Sequence, residues 1–202
     1  MYFIVILMIA IVFSVGILLG KHIATKKQAD ISMFMKDLEL KTESFMVEQE
    51  LIGKTSDCGL TESRITSLST ELYNLGVMLS EPGAEANLGK DSFMLLKKKF
   101  HLMQIRTYML YNTFKENCKS DEHVVLFYYG KNDDDSKEQG KILDEVVKKY
   151  PVNIFAIEFN YAEELSFMER YYEIKQTPAI VIDFDNVKQG LVSYENVVNS
   201  IN

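Results

Sequence analysis

Residues 123–136 read HVVLFYYGKNDDDS, and the fold turns on how this stretch is taken. His123 to Tyr129 is a β-branched and aromatic run of strand length, stopped by Gly130. Lys131 to Ser136 is polar and reads as a loop. From Ser136 to Tyr150 the period changes, with Ile142, Leu143, Val146 and Val147 on one face of an amphipathic helix that must end before Pro151. Val152 to Phe159 (VNIFAIEF) repeats the strand pattern, and Ala162 to Tyr172 the helical one. Thr177-Pro178 precedes AIVIDF, a third strand. Asp185-Asn186 then reads as a hairpin turn into a fourth strand, Val187 to Val192. Ser193 to Ile201 closes as a short helix, with Ser193 placed to cap it and Glu195 in its first turn. The order is β-α-β-α-β-β-α, an α/β unit. A helical crossover makes the first two strands parallel, and a tight turn makes the last two antiparallel.

This order, with a strand–loop–helix opening and Thr177-Pro178-Ala179 immediately before an apolar strand, resembles the thioredoxin fold, and more narrowly its minimal glutaredoxin-like core. The resemblance covers residues 122–202. It implies that Pro178 is the family's cis-proline, facing the loop at the end of the first strand. It also implies a groove in which Thr177 and Pro178 lie across from Tyr129 and Gly130, where an extended peptide could pair with the backbone. Ending the loop and fixing the strand start accounts for Pro178 equally well.

The family's Cys-x-x-Cys belongs between that first strand and its helix, where the helix dipole and backbone N–H groups stabilise a thiolate. Here the segment is Asp133-Asp134-Asp135-Ser136, which puts Asp133 and Ser136 on the two cysteine positions. Neither can form or exchange a disulfide, so thiol chemistry is excluded from this groove by composition. Asp133 and Asp135 imitate the start of a calcium loop. Position 5 of such a loop is Lys137, however, and the obligatory glycine at position 6 is Glu138. His22, His101 and His123 sit in three different elements without ligand spacing, and no phosphate loop or dinucleotide glycine pattern appears. No catalytic constellation, metal or cofactor is expected.

Upstream, Tyr2 to Gly20 (YFIVILMIAIVFSVGILLG) holds no charge. As a helix it is roughly 28 Å long, close to the hydrocarbon thickness of a bilayer. Only Met1 precedes it and no Ala-x-Ala follows, so it reads as a retained single anchor rather than a cleaved signal. Lys21, Lys26 and Lys27 follow the anchor. By the positive-inside rule they place the rest of the chain in the cytoplasm, while the two cysteines permit the opposite side. Gly16, Gly20 and Ala24 repeat at four-residue spacing, the small-residue pattern that lets two helices approach, so a weak homodimer is an expectation.

Residues 28–53 carry Ile31, Leu38, Phe45 and Ile52 seven apart, half of a coiled-coil seam. Ile65, Leu68, Leu72, Leu75 and Leu79 form a full apolar stripe. A third helix from Ser92 to Asn117 carries Phe93, Leu96, Phe100, Met103, Leu110 and Phe114 in the same way, with Lys97, Lys98 and Lys99 as a solvated face. The division is therefore an anchor with its basic flank over 1–27, a helical stalk over 28–119 and the thioredoxin-like unit over 120–202. In an up-down-up bundle Cys58 and Cys118 fall at one end. They read either as a disulfide or as two unrelated buried thiols.

All 29 acidic residues and 19 of the 22 basic ones follow Lys27. That acidic excess argues against nucleic acid, whose phosphates need a basic face. The expected function is a membrane-tethered binding or scaffold module for a protein or peptide. The alternatives are an oxidoreductase subunit exchanging disulfides through Cys58 and Cys118, and a purely structural helical oligomer.

Overall fold

The structure, a computed structural model, describes residues 57–201 and, of the preceding segment, residues 32–54 apart from positions 34, 38, 41 and 49. The chain divides at Thr55/Ser56 into two compact units. In the first, every described residue of 32–54 is helical. Phe45 and Ile52 of the seven-residue series are buried there, whereas Met46, Val47 and Leu51 are exposed. Ile31 and Leu38 lie outside the described residues, as do the anchor Tyr2–Gly20 and the Gly16, Gly20, Ala24 pattern. Among the described residues no helix is long and apolar enough to cross a membrane.

The second unit is mixed α/β. Its elements are α1 (Cys58–Ser80), α2 (Ala84–Leu88), α3 (Lys90–Cys118), β1 (His123–Tyr129), α4 (Asp134–Val147), β2 (Val152–Glu158), a single 3-10 turn (Glu163–Leu165) running into α5 (Ser166–Tyr171), β3 (Ala179–Ile182), β4 (Asn186–Gln189) and α6 (Tyr194–Val198). The sheet order is β2-β1-β3-β4. β1 and β2 are parallel with Val125 opposite Ile154; β1 and β3 are antiparallel with Val125 opposite Ile182.

Strand alternation divides the core between the two faces of the sheet. On one face Val125, Phe127, Ile180 and Ile182 pack with Leu143 and Val146 of α4 and Val197 of α6. On the other, Phe155 of β2 meets Tyr108 and Tyr111 of α3, at ring-centroid distances of 6.3 and 5.9 Å. Helix α3 is thus a shared wall. It packs along α1 through the apolar stripe and along the sheet through its other side. The stalk boundary expected at residue 119/120 does not separate compact units, because α1 to α3 and the sheet belong to the same one.

Three local expectations are corrected. Asp134 and Asp135 lie inside α4, not in the loop before it; Asp133 is the N-cap and accepts the Asp135 N–H at 3.2 Å. The hairpin turn includes Asp185 as expected but starts two residues earlier, and Asn186 already belongs to β4: β3 ends at Ile182, and Asp183 and Phe184 take φ of +50° and +75°. The Lys97–Lys99 run is not a free face. Lys97 is ion-paired with Glu158 of β2 and Lys98 with Glu164.

One contact of α3 reaches the backbone of the sheet. The Gln104 amide donates through Nε2 to the Ala156 carbonyl at 2.9 Å, and the Ala156 N–H donates to Oε1 at 2.7 Å.

Candidate functional site

The end of β1, the start of α4 and the start of β3 converge on one small groove. Its centre is the Asp133 carboxylate. Oδ2 accepts from the Ser136 hydroxyl at 2.5 Å and from the Thr177 hydroxyl at 2.8 Å. The Gly130 N–H donates to Ser136 Oγ at 3.0 Å. Asp133 and Ser136 are therefore tied to each other, and Asp133 to Thr177, by hydrogen bonds. Hydrogen bonds from Ser136 first, then Thr177, hold the Asp133 carboxyl below its ordinary range. A carboxylate with a lowered affinity for protons is a weaker general base, and among the described residues no histidine hydrogen-bonds Ser136. Nothing in the groove assembles a nucleophile.

Gly130 is required by close approach. A Cβ there would come within 2.8 Å of Thr177 Oγ1 and 2.9 Å of the Asp133 Cβ. Thr177 is half-buried and joined to Pro178 by a cis peptide bond. The β3 ladders begin at Ala179, and the Pro178 carbonyl accepts from Gly190 N–H at 2.7 Å. Among the described residues no backbone–backbone hydrogen bond engages the N–H or C=O of Thr177. The structure thus brings Gly130, Asp133, Ser136, Thr177 and Pro178 together, with Tyr129 at the rim.

Behind Tyr129 lies a buried cluster that the sequence did not flag. The His101 ring of α3 sits 6.4 Å from Tyr129 and 5.2 Å from Tyr161, centroid to centroid. Burial first, and the Lys97 charge second, push the imidazole down to about 4. Burial, helped by Glu158, pushes the Tyr129 phenol up to about 12. Both groups are neutral at neutral pH, so the back wall of the groove carries no charge of its own.

Asp183, read from sequence as part of a strand, is instead an anchor. It accepts from Val124 N–H at 3.1 Å, from Lys115 Nζ at 3.2 Å and from His123 Nδ1 at 2.6 Å. Burial alone would raise its carboxyl, but these bonds together outweigh burial and hold it below the ordinary value. An acid inside an otherwise apolar run was the available signal.

The two cysteines are apart from these groups in sequence and joined to each other. Cys58 opens α1, Cys118 closes α3, and a disulfide links them with Cα atoms 5.7 Å apart.

No family model matches the chain, and no curated protein matches it. Among solved structures, one titled as the structure of a malarial protein aligns over 40% of this chain and 93% of its own at 21% identity, with a TM-score of 0.34. At that score the likeness carries no argument.

Proposed function

We propose that residues 120–202 form a thioredoxin-like unit without redox thiols that serves, on a membrane anchor at Tyr2–Gly20, as a binding module for an extended polypeptide. The observation that supports this reading is the state of Thr177. Its side chain is turned inward to Asp133 while its backbone N–H and C=O stay outside the sheet's own bonding. An extended peptide laid across this end of β3 would meet a donor and an acceptor of strand type, and the Asp133–Ser136 pair would hold the facing loop in place. In this reading the Cys58–Cys118 bond is a brace for the helices and takes no part in exchange.

The test uses the full chain in maltoside micelles. Peptides selected against it by display should slow exchange of the Thr177 amide about tenfold or more when bound. Asp133→Asn, which keeps the shape but weakens both hydroxyl anchors, should lower their affinity without unfolding the chain. Selected peptides that protect no groove amide would refute the reading. The anchor has its own check. Deleting residues 1–27 should move the chain from carbonate-washed membranes to the soluble fraction, and a truncated chain that stays bound would discard the anchor.

A further inference from the structure

At the opposite end of β3 from the groove, a cleft of about 530 Å³ opens between α3, α5 and the β3–β4 turn. Its inner wall is fixed. Tyr172 Oη shares a hydrogen bond with the fully buried Tyr108 at 2.8 Å, and Phe184 packs on Tyr108 with ring centroids 4.7 Å apart. The Tyr171 ring stands nearly perpendicular to Tyr172, at 79° and 4.8 Å, so two aromatic walls meet at a corner. Tyr171 is 74% exposed, and Phe167, one turn earlier on α5, is 44% exposed. Isolated exposed aromatics need no explanation, but several lining one concavity do.

Phe184 adds a second observation. It holds φ at +75° in a hairpin turn, where asparagine or glycine adopts that conformation with far less strain. The strained position keeps an aromatic ring on the cleft floor.

The mouth is acidic. Asp185 is exposed and makes no hydrogen bond or ion pair among the described residues. Glu116 also lines the cleft and accepts a hydrogen bond from Asn112 at 3.0 Å. Asp183, also at the mouth, is already matched by Lys115 and His123.

Aromatic faces backed by uncompensated carboxylates attract a cation that carries apolar surface. The Tyr171–Tyr172 corner is aromatic and the carboxylates lie at the mouth, so a primary ammonium seated in the corner, with three N–H donors to satisfy, would lose hydration that ring faces do not replace. A methylated ammonium has no such requirement. We propose that this cleft binds a small organic cation bearing a methylated ammonium group, held in the Tyr171–Tyr172 corner and balanced by Asp185 and Glu116.

The probe is choline, titrated into the full chain in maltoside micelles at constant ionic strength and read by saturation-transfer NMR on its methyl protons. Its neutral isostere, 3,3-dimethylbutan-1-ol, controls for apolar filling. Choline should bind about tenfold more tightly than the isostere, and Tyr171→Leu and Asp185→Asn should each weaken it several-fold. Both side chains are exposed, and unchanged thermal melts will show that the variants remain folded. Equal affinity for the isostere, no transfer to choline in the millimolar range, or indifference to both variants would overturn the proposal. So would a lysine hexapeptide that binds at these residues while choline does not, since the occupant would then be a protein.

Discussion

Reduction of the Cys58–Cys118 bond is expected to lower the melting temperature of the chain by roughly 10 °C. The bond spans 60 residues of sequence, from the first residue of α1 to the last of α3. Closing a loop of that length removes unfolded-state entropy equivalent to about 4 kcal/mol in the chain-entropy account. For a unit of this size each kcal/mol corresponds to roughly 2–4 °C. The double variant Cys58→Ser, Cys118→Ser should reproduce the effect of reductant, measured by circular dichroism on the full chain in micelles. The loss should not stay within the helices. Helix α3 is also one wall of the sheet's core, so its loosening should reach Phe155 and Tyr108. A melt unmoved by reductant, with reduction verified by mass, would show that the bond constrains nothing that unfolds.

Acid should expose His101. Its folded value of about 4 lies below the ordinary 6.5, so between those values the unfolded chain binds more protons than the folded one. The contribution is complete above the ordinary value and is lost as pH falls towards the folded value. It amounts to about 3 kcal/mol by pH 4. His101 is 1% exposed, and among the described residues its Nε2 has no hydrogen-bond partner. His101→Leu should therefore be neutral or slightly stabilising at neutral pH, and should remove most of the loss between about pH 6.5 and 4. Asp133 and Asp183 act in a different window. Their carboxyls are depressed, so what they contribute persists above the ordinary carboxylate value and disappears only as pH falls through their lower folded values. Denaturant titrations of wild type and variant at several pH values separate the two. Parallel pH profiles would mean that His101 titrates normally and is not desolvated.

The parts of the fold legible in the sequence are those where one local signal decides the outcome. The run HVVLFYY can hardly be other than a buried strand, and Ile65, Leu68, Leu72 and Leu75 are all buried as their spacing requires. What was illegible depends on a partner far along the chain. Asp183 and Phe184 look like the end of a strand until the Asp183 carboxylate is seen holding Val124, Lys115 and His123, which fixes the turn there. Helix α3 carried Leu95, Leu102, Ile105 and Met109 beside its main apolar stripe, which pointed to two neighbours but not to the residues that meet the second. Its second buried side includes His101, Gln104 and Tyr108, residues that periodicity counts as polar or amphipathic. Each is buried because of a particular neighbour on the sheet or beside it, information that spacing does not contain. The groove lies between these cases. The resemblance suggested Asp133 and Ser136 for the loop after the first strand, and set Thr177 and Pro178 across from Tyr129 and Gly130. That Asp133 would join all three through two hydroxyls required coordinates.

The Gln104 side chain, paired in both directions with the backbone of Ala156, bears on how copies of this protein can meet. It occupies the middle of the outer rim of β2 as one residue of another strand would, and so interrupts that rim for a neighbouring chain. Among the described residues β4 is then the one rim of the sheet without a side chain docked on its outer backbone. A molecule with two open rims can polymerise without limit. One with a single open rim can only be joined once, rim to rim, by a twofold-related copy or by one added peptide strand. A glutamine in the middle of a long helix thus stands where the central residue of an added strand would pair with β2.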